Sequence, residues 1–132
     1  MNQKLSYLIC FLAAVIISIS SPFIYGQELT ASWYSVESCK REGTSGIMAN
    51  GKVLNDQNYT AASWDYRFGT ILKVTNLNNG KVVRVQITDR GPSKRLYRSG
   101  RVLDLSVAAF KAIADLRSGI IPVKIEEVHN GS

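Results

Sequence analysis

The chain has 132 residues, with 45% hydrophobic and 20% charged side chains and a formal net charge of +6 at pH 7. This length allows one small domain with a modest core. The only histidine is His129, near the end of the chain, which argues against a Ser-His-Asp or Cys-His catalytic centre and a histidine-rich metal site. No glycine-rich phosphate loop follows a strand pattern, and the cysteines lack zinc-finger spacing, so we expect no cofactor and no metal.

The first residues have the build of a secretory signal peptide. Lys4 precedes an apolar run, Leu5–Ile19, and a polar exit follows. The run of about 15 residues is short for a transmembrane helix, which needs about 20. We therefore expect residues 1–26 to be a signal peptide and residues 27–132 to form one domain. The domain would be secreted or periplasmic, without stable membrane insertion; an uncleaved anchor is the alternative.

The charge and the cysteines describe the exported part. Loss of Lys4 with the leader leaves a net charge of +5, which suits an anionic partner such as a cell-wall polymer, an acidic glycan or a membrane surface. Solubility alone is the other explanation. Cys39 is then the only cysteine left, so we expect no internal disulfide and a buried or half-buried thiol. Export argues against a nucleic-acid partner, and we expect a monomer.

Most of the predicted elements are strands. Ile71, Lys73 and Thr75 alternate with apolar residues, Asn78-Asn79-Gly80 turns the chain, and a second alternating run ends at Ile87. An Asn-Gly turn between such runs predicts a β-hairpin, since both turn residues tolerate positive φ. The other predicted strands are 30–36, 59–62, 101–103 and 120–128.

One helix is predicted after the last basic loop. It begins with Asp104 or Ser106 as N-cap and ends at Gly119 as a C′ residue. Its apolar residues at helical spacing predict a core face; they are Leu105, Ala109, Phe110, Ile113 and Leu116. Several short strands with one helix predict a compact, mainly-β barrel, since closure removes exposed strand edges.

The chemistry-bearing candidates are two carboxylates at the ends of a basic loop. Asp89 ends the hairpin, immediately before Arg90-Gly91-Pro92, and Asp104 lies beyond five cationic residues. Asp89 could project into a groove as an acid that protonates a glycosidic oxygen. Its alternative role is structural, accepting backbone N–H bonds in the turn. For Asp104 the alternative is the N-cap of the predicted helix.

The segment that contains Trp33 and Tyr34 could form the opposite wall of a binding site. Trp33 and Tyr34 are adjacent, so in a strand one points inward and the other outward. An exposed aromatic ring there could stack on a sugar, and core packing is the other explanation. Glycines around Asn50 mark a loop that approaches something closely.

Several motifs together resemble the rare lipoprotein A family of septal-ring lytic transglycosylases. They are "ASWYS", "MANGK", "YTAAS", "FGTILKVTNLNNGK", "VQITDRGP", "GRVLDLS" and "AAFKAIA", and they cover about residues 30–128. The resemblance implies a mainly-β fold, a six-stranded double-psi β-barrel with one or two short helices, shared with expansins. It also implies a cell-envelope setting and peptidoglycan glycan strands as the ligand.

The resemblance further implies endolytic cleavage of the MurNAc-GlcNAc bond. One acid protonates the glycosidic oxygen, and the 6-hydroxyl of the sugar closes an anhydro ring, so water is not the nucleophile. The residues assigned to catalysis are Asp89 and Asp104. The residues assigned to substrate binding are Ser32, Trp33, Tyr34, Asn50, Arg90, Arg95 and Tyr97.

Departures from the family pattern leave the activity open. Lys52 stands where competent members have Glu, Ser63 where they usually have His, and Asn55 where an Asp is frequent. Of the family's polar catalytic set only Asp89 is kept, and Asp89, Asp104 and Ser32 all match expansin positions. The first interpretation is a lytic transglycosylase with Asp89 as acid. The alternatives are a non-catalytic, expansin-like polysaccharide-binding or wall-loosening module, and an interaction domain that keeps the barrel for stability alone.

Overall fold

The computed structural model describes residues 28–129. The predicted signal peptide, residues 1–26, lies outside this range. Among the described residues, no helix has the length and apolar character needed to span a membrane.

Six strands close into one barrel, in the order β1-β5-β2-β4-β3-β6. The strands are β1 (Thr30–Trp33), β2 (Thr60–Ala62), β3 (Ile71–Asn76), β4 (Val82–Asp89), β5 (Arg101–Leu105) and β6 (Ile120–Glu127). The helices are α1 (Val36–Arg41), α2 (Lys94–Arg98) and α3 (Val107–Ile113), followed by a 3₁₀ turn, Leu116–Ser118. The closed, mainly-β barrel is confirmed. The described range holds three short α-helices rather than the one or two expected.

The predicted hairpin is confirmed as β3 and β4. The strands pair antiparallel, with Leu72 opposite Val85 and Val74 opposite Val83. Within the turn, only Gly80 takes a positive φ, +74°. Asn79 instead uses its side chain, which donates to the Ile113 carbonyl at 2.9 Å and accepts from the Lys81 amide at 2.9 Å. The turn is therefore tied to the end of α3 as well as closing the hairpin.

Two strand pairs are parallel, β1 with β5 and β2 with β4, and the other neighbours are antiparallel. Inward-facing apolar side chains fill the barrel, and α3 packs onto this core. Ala109, Phe110 and Ile113 of that helix are fully buried. Burial of each large side chain stabilises the fold by about 1.5–3 kcal/mol.

The predicted helix begins and ends differently from expectation. Its N-cap is Ser106, whose hydroxyl accepts from the Ala109 amide at 3.3 Å. Asp104 is not a cap, because β5 continues through Leu105 and places Asp104 inside a strand. The helix ends at Ile113 rather than running to Gly119.

Two other boundaries also differ. The strand predicted over residues 30–36 stops at Trp33, because Ser35 caps α1 and forms a reciprocal capping box with Ser38. The basic loop between the two aspartates contains the short helix α2.

Candidate functional site

The two candidate aspartates lie on either side of one small residue. Strand β2 runs between β4 and β5, and Ala62 is in register with Asp89 on one neighbour and Asp104 on the other. Adjacent strands are about 4.8 Å apart, so the two aspartate Cα atoms are about 10 Å apart. The single methyl group of Ala62 between them leaves room for a ligand.

A register irregularity precedes each aspartate. On β4, Thr88 is an extra residue, since Ala61 pairs with Ile87 and the next residue already pairs with Asp89. On β5, Val102 is the extra residue opposite the step from Thr30 to Ala31. Bulges re-aim side chains and are common at barrel rims. The second one turns Arg101 towards Asp104.

Asp89 is held by three neutral donors. Its Oδ1 accepts the backbone N–H groups of Ala49 at 2.9 Å and Arg90 at 2.8 Å, and its Oδ2 accepts the Tyr34 hydroxyl at 3.1 Å. Burial, and then the charge of Asp89, raise the pKa of Tyr34 far above its usual value, so that hydroxyl keeps its proton. Asp89 thus accepts backbone N–H bonds, as the structural alternative expected, and also faces the groove described below.

Asp104 is held by a cation. Its Oδ1 accepts the Ser32 hydroxyl at 2.7 Å and two nitrogens of Arg101, Nη2 at 2.9 Å and Nε at 3.2 Å. The side chains of Asp104 and Arg101 are 14% and 22% exposed. Its Oδ2 has no hydrogen bond within residues 28–129 and is therefore available to a ligand.

A loop over residues 46–54 covers one side of the two aspartates. Its ends are joined by a β-bridge between Ile47 and Val53. It is fixed to β4 by the contact of Ala49 with Asp89 and by the Asn50 amide, which donates to the Thr88 carbonyl at 3.3 Å. The rim of this loop is exposed.

The loop and the barrel enclose a groove of about 420 Å³, within the size range of small-ligand sites. Asp89 and Asp104 both line it. The other residues that contribute to its surface include Trp33, Tyr34, Cys39, Ile47, Met48, Trp64, Arg90, Pro92 and Arg101. The Cys39 thiol is free and half-buried.

The predicted binding residues divide into two groups. Trp33, Tyr34 and Arg90 line the groove. Ser32 is 4% exposed and reaches the groove only through its bond to Asp104. The remaining three lie elsewhere: Asn50 uses its side chain to accept the Lys52 amide, and Arg95 and Tyr97 lie on α2 outside this groove.

Arg90 has a structural task as well as a groove surface. Its Nη1 donates to the carbonyls of Ser63 and Tyr66, at 2.8 Å each, and its guanidinium lies 3.9 Å from the Phe68 ring centroid. Ser63 is 1% exposed and donates its amide to the Asp89 carbonyl at 3.0 Å. Arg90 therefore ties the segment after β2 to the end of β4.

Arg101 and Trp64 line the groove although the sequence analysis did not select them. Trp64 is 41% exposed, and its indole N–H donates to the Pro92 carbonyl at 2.6 Å. Across residues 28–129, no group of three or more His, Cys, Asp or Glu side chains is placed to hold a metal ion.

Comparison with known proteins identifies the family. Residues 26–125 match the family model described as "Lytic transglycolase". A probable endolytic peptidoglycan transglycosylase RlpA from Aquifex aeolicus is 42% identical over 101 residues, which cover 76% of this chain and 41% of that protein. The endolytic peptidoglycan transglycosylase RlpA of Campylobacter jejuni is 40% identical over 103 residues, covering 77% of this chain and 34% of that protein. The chain thus spans less than half the length of either relative.

Solved structures give the same result for the fold. The apo expansin of Clavibacter michiganensis superposes with a TM-score of 0.55 at 30% identity, covering 80% of this chain and 51% of that one. A mutant of that expansin in complex with cellohexaose superposes with the same TM-score at 28% identity. The chain belongs to the lytic transglycolase family, and its fold is the double-psi β-barrel that the RlpA proteins and expansins share.

Proposed function

We propose that this chain is a secreted cell-envelope protein that cleaves peptidoglycan glycan strands by an endolytic transglycosylase-type reaction. The observation that carries the proposal is the pair Asp89 and Asp104 on either side of Ala62, facing one groove. The two relatives named as endolytic peptidoglycan transglycosylases, 42% and 40% identical over most of this chain, support the substrate class.

Asp89 is the residue we assign to proton transfer. No cationic side chain of the described range forms an ion pair with it, whereas Arg101 neutralises part of the charge of Asp104. The carboxylic acid of Asp89 donates its proton to the glycosidic oxygen as the C–O bond breaks. The carboxylate then takes the proton of the 6-hydroxyl, whose oxygen closes the anhydro ring. Tyr34 orients Asp89 through its hydroxyl.

Asp104 is assigned to orienting the sugar. Ser32 and Arg101 fix its Oδ1, and the free Oδ2 can accept a hydrogen bond from a sugar hydroxyl. Among the expected binding residues, Trp33 and Tyr34 supply groove surface, and Ser32 acts through Asp104. We assign Arg90 to holding the groove wall, since its Nη1 already donates to two carbonyls.

A second candidate function is binding without cleavage. Lys52 is exposed on the covering loop and Ser63 is buried beside Asp89, where the family resemblance implies Glu and His. The mutant expansin that is 28% identical to this chain forms a complex with cellohexaose. An expansin-like module that binds glycan strands would use the same groove and need no acid.

Digestion of purified sacculi by the purified protein distinguishes the two functions. Mass spectrometry of the soluble fraction should detect muropeptides with anhydro ends. Retention of the protein on sacculi without any released product would support the binding module and contradict cleavage.

Export is tested separately. The leader pattern after Lys4 predicts an exported protein that begins near Gln27 and carries no lipid. N-terminal sequencing and intact mass of the exported protein measure this. A second cysteine, Cys10, lies within the apolar run of the leader. Recovery of a chain beginning at Met1, or acylated at Cys10, would contradict the prediction.

A further inference from the structure

A second hollow adjoins the groove and shares one wall with it. It encloses about 390 Å³ and is lined by Trp64, Asp65, Lys94, Tyr97 and Arg98. Trp64 lines both concavities. Its indole N–H donates to the Pro92 carbonyl at 2.6 Å, and this hydrogen bond restrains the ring at the boundary between the groove and the hollow. A ligand chain that runs across Trp64 would contact both concavities.

The hollow is cationic. Lys94 and Arg98 are exposed, and neither forms an ion pair with an acidic side chain anywhere in residues 28–129. The one carboxylate present, Asp65, already accepts the Tyr97 hydroxyl at 2.6 Å. The Lys94 ammonium lies 5.4 Å from the centroid of the Trp64 ring. Two unpaired cations therefore stand beside a partly exposed aromatic ring.

The helix α2 explains why these two cations act together. Lys94 and Arg98 are four residues apart, so they lie on the same side of the helix. Arg95, one position along, is also exposed but lines neither concavity. The positive charge of the hollow therefore comes from Lys94 and Arg98, and the other cationic residues of the basic loop do not contribute to it.

We propose that this hollow binds a carboxylate carried by a sugar of the glycan strand, with the sugar ring packed on Trp64. The inference rests on the proposed function for the glycan itself and adds the residues that recognise its acidic sugar: Lys94 and Arg98 would distinguish a carboxylate-bearing amino sugar from a neutral one. Lys94 and Arg98 pair with the carboxylate, and their unpaired charges attract it from solution. A neutral glucan or chitin strand leaves both cations without a partner, so the hollow discriminates between polysaccharides.

In peptidoglycan the carboxylate has two sources, the lactyl group of a muramic acid without peptide and the acidic groups of an attached stem peptide. The lactyl carboxylate is attached directly to the sugar, whereas the acidic groups of a stem peptide lie further from the ring. The experiment therefore uses a peptide-free and a peptide-bearing glycan to distinguish the two sources.

The test is equilibrium binding at low salt of three soluble glycans: a chitin oligosaccharide, a peptide-free muramic-acid glycan and a peptide-bearing one. Each is titrated into wild type, Lys94→Gln/Arg98→Gln and the control Lys81→Gln/Arg84→Gln, which removes the same charge from exposed positions outside the hollow. Wild type and control should bind at least one acidic glycan about three- to tenfold more tightly than chitin, the effect expected of two exposed charge pairs. The Lys94/Arg98 variant should lose that preference while its affinity for chitin is unchanged.

The outcomes separate the two proposals. The acidic glycan whose affinity falls in the Lys94/Arg98 variant identifies the source of the carboxylate. Equal binding of all three glycans by wild type, or a preference that survives in the Lys94/Arg98 variant, overturns the inference and leaves the groove assignment intact. Failure of wild type to bind any of the three glycans contradicts the proposed function itself.

Discussion

Asp89 and Asp104 flank the same residue, yet they are held in different ways. Asp104 lies inside the barrel wall, where strand neighbours Ser32 and Arg101 fix one of its oxygens and leave the other free. Both oxygens of Asp89 are occupied, and two of its donors, Ala49 and Tyr34, come from segments outside β4. Asp104 therefore presents a fixed acceptor to a ligand, whereas Asp89 couples its carboxyl group to the loop that covers the groove.

Asp104 is thus a charged group paired with a cation, whereas Asp89 is a carboxyl group held by neutral donors. An ion pair whose two members are mostly buried is costly to break on one side, since the remaining charge loses its partner. Neutral hydrogen bonds contribute less each, and they bring no opposite net charge to the group they hold. Asp104 should therefore matter more for stability, and Asp89 more for proton transfer.

The largest expected effect on stability is that of Asp104→Ala. It leaves Arg101 partly buried without a partner, so the free energy of unfolding should fall by about 3 kcal/mol, the low end for such pairs. Loss of a helix N-cap would cost only about 1 kcal/mol. Urea denaturation measures the difference. Glu126→Ala is the control, because it removes the acidic partner of exposed ion pairs and should cost less than about 1 kcal/mol. A loss no larger than that control would contradict the role of the ion pair.

Asp89→Ala should have a smaller effect on global stability, about 1–2 kcal/mol, with a local signature. It removes the acceptor of the Ala49 and Arg90 amides and so releases the loop over residues 46–54. Hydrogen exchange in that loop should become faster, while exchange in β5 is unchanged. Asp104→Ala should show the reverse pattern. Equal acceleration in both regions for both variants would mean that the two aspartates do not hold separate parts of the fold.

Tyr34→Phe should have the smallest effect, about 1 kcal/mol at neutral pH from the lost bond to Asp89. Its distinctive consequence appears at alkaline pH. The pKa of Tyr34 is raised above its ordinary value of 10.0, first by burial and then by Asp89. The unfolded chain therefore loses this proton first, and the stability that the protonated hydroxyl contributes is lost as the pH rises above 10. Wild type should lose more stability than Tyr34→Phe between pH 9 and 11. Parallel pH profiles for the two proteins would contradict this.

Local pattern was sufficient for much of the fold. Alternation around the Asn78-Asn79-Gly80 turn gave the hairpin, and helical spacing gave the buried face of α3. The start of α3 was ambiguous because Asp104 and Ser106 are both good N-cap residues. Pairing of β5 with β1 and β2, which are distant in the chain, decides in favour of Ser106, and no local pattern carries that information.

The candidate site was predicted only in part for the same reason. Asp89 and Asp104 could be selected as carboxylates next to turns, but their common neighbour Ala62 follows from strand order. Arg101 could not be found from spacing, because residues three apart in a regular strand face opposite sides. The extra residue Val102 brings it round to Asp104. Trp64 lies outside the motifs that carry the family resemblance, and its position depends on the chain folding back to Pro92.

The most direct test of the central claim is the release of anhydro-muropeptides by wild type, Asp89→Asn and Asp104→Asn under identical conditions. Asparagine keeps an acceptor for the donors around each site but cannot deliver an acid proton. The assignment predicts that Asp89→Asn binds sacculi and melts within a few degrees of wild type, yet releases no anhydro product. It predicts reduced but measurable release by Asp104→Asn. Release by Asp89→Asn at the wild-type rate would contradict the account.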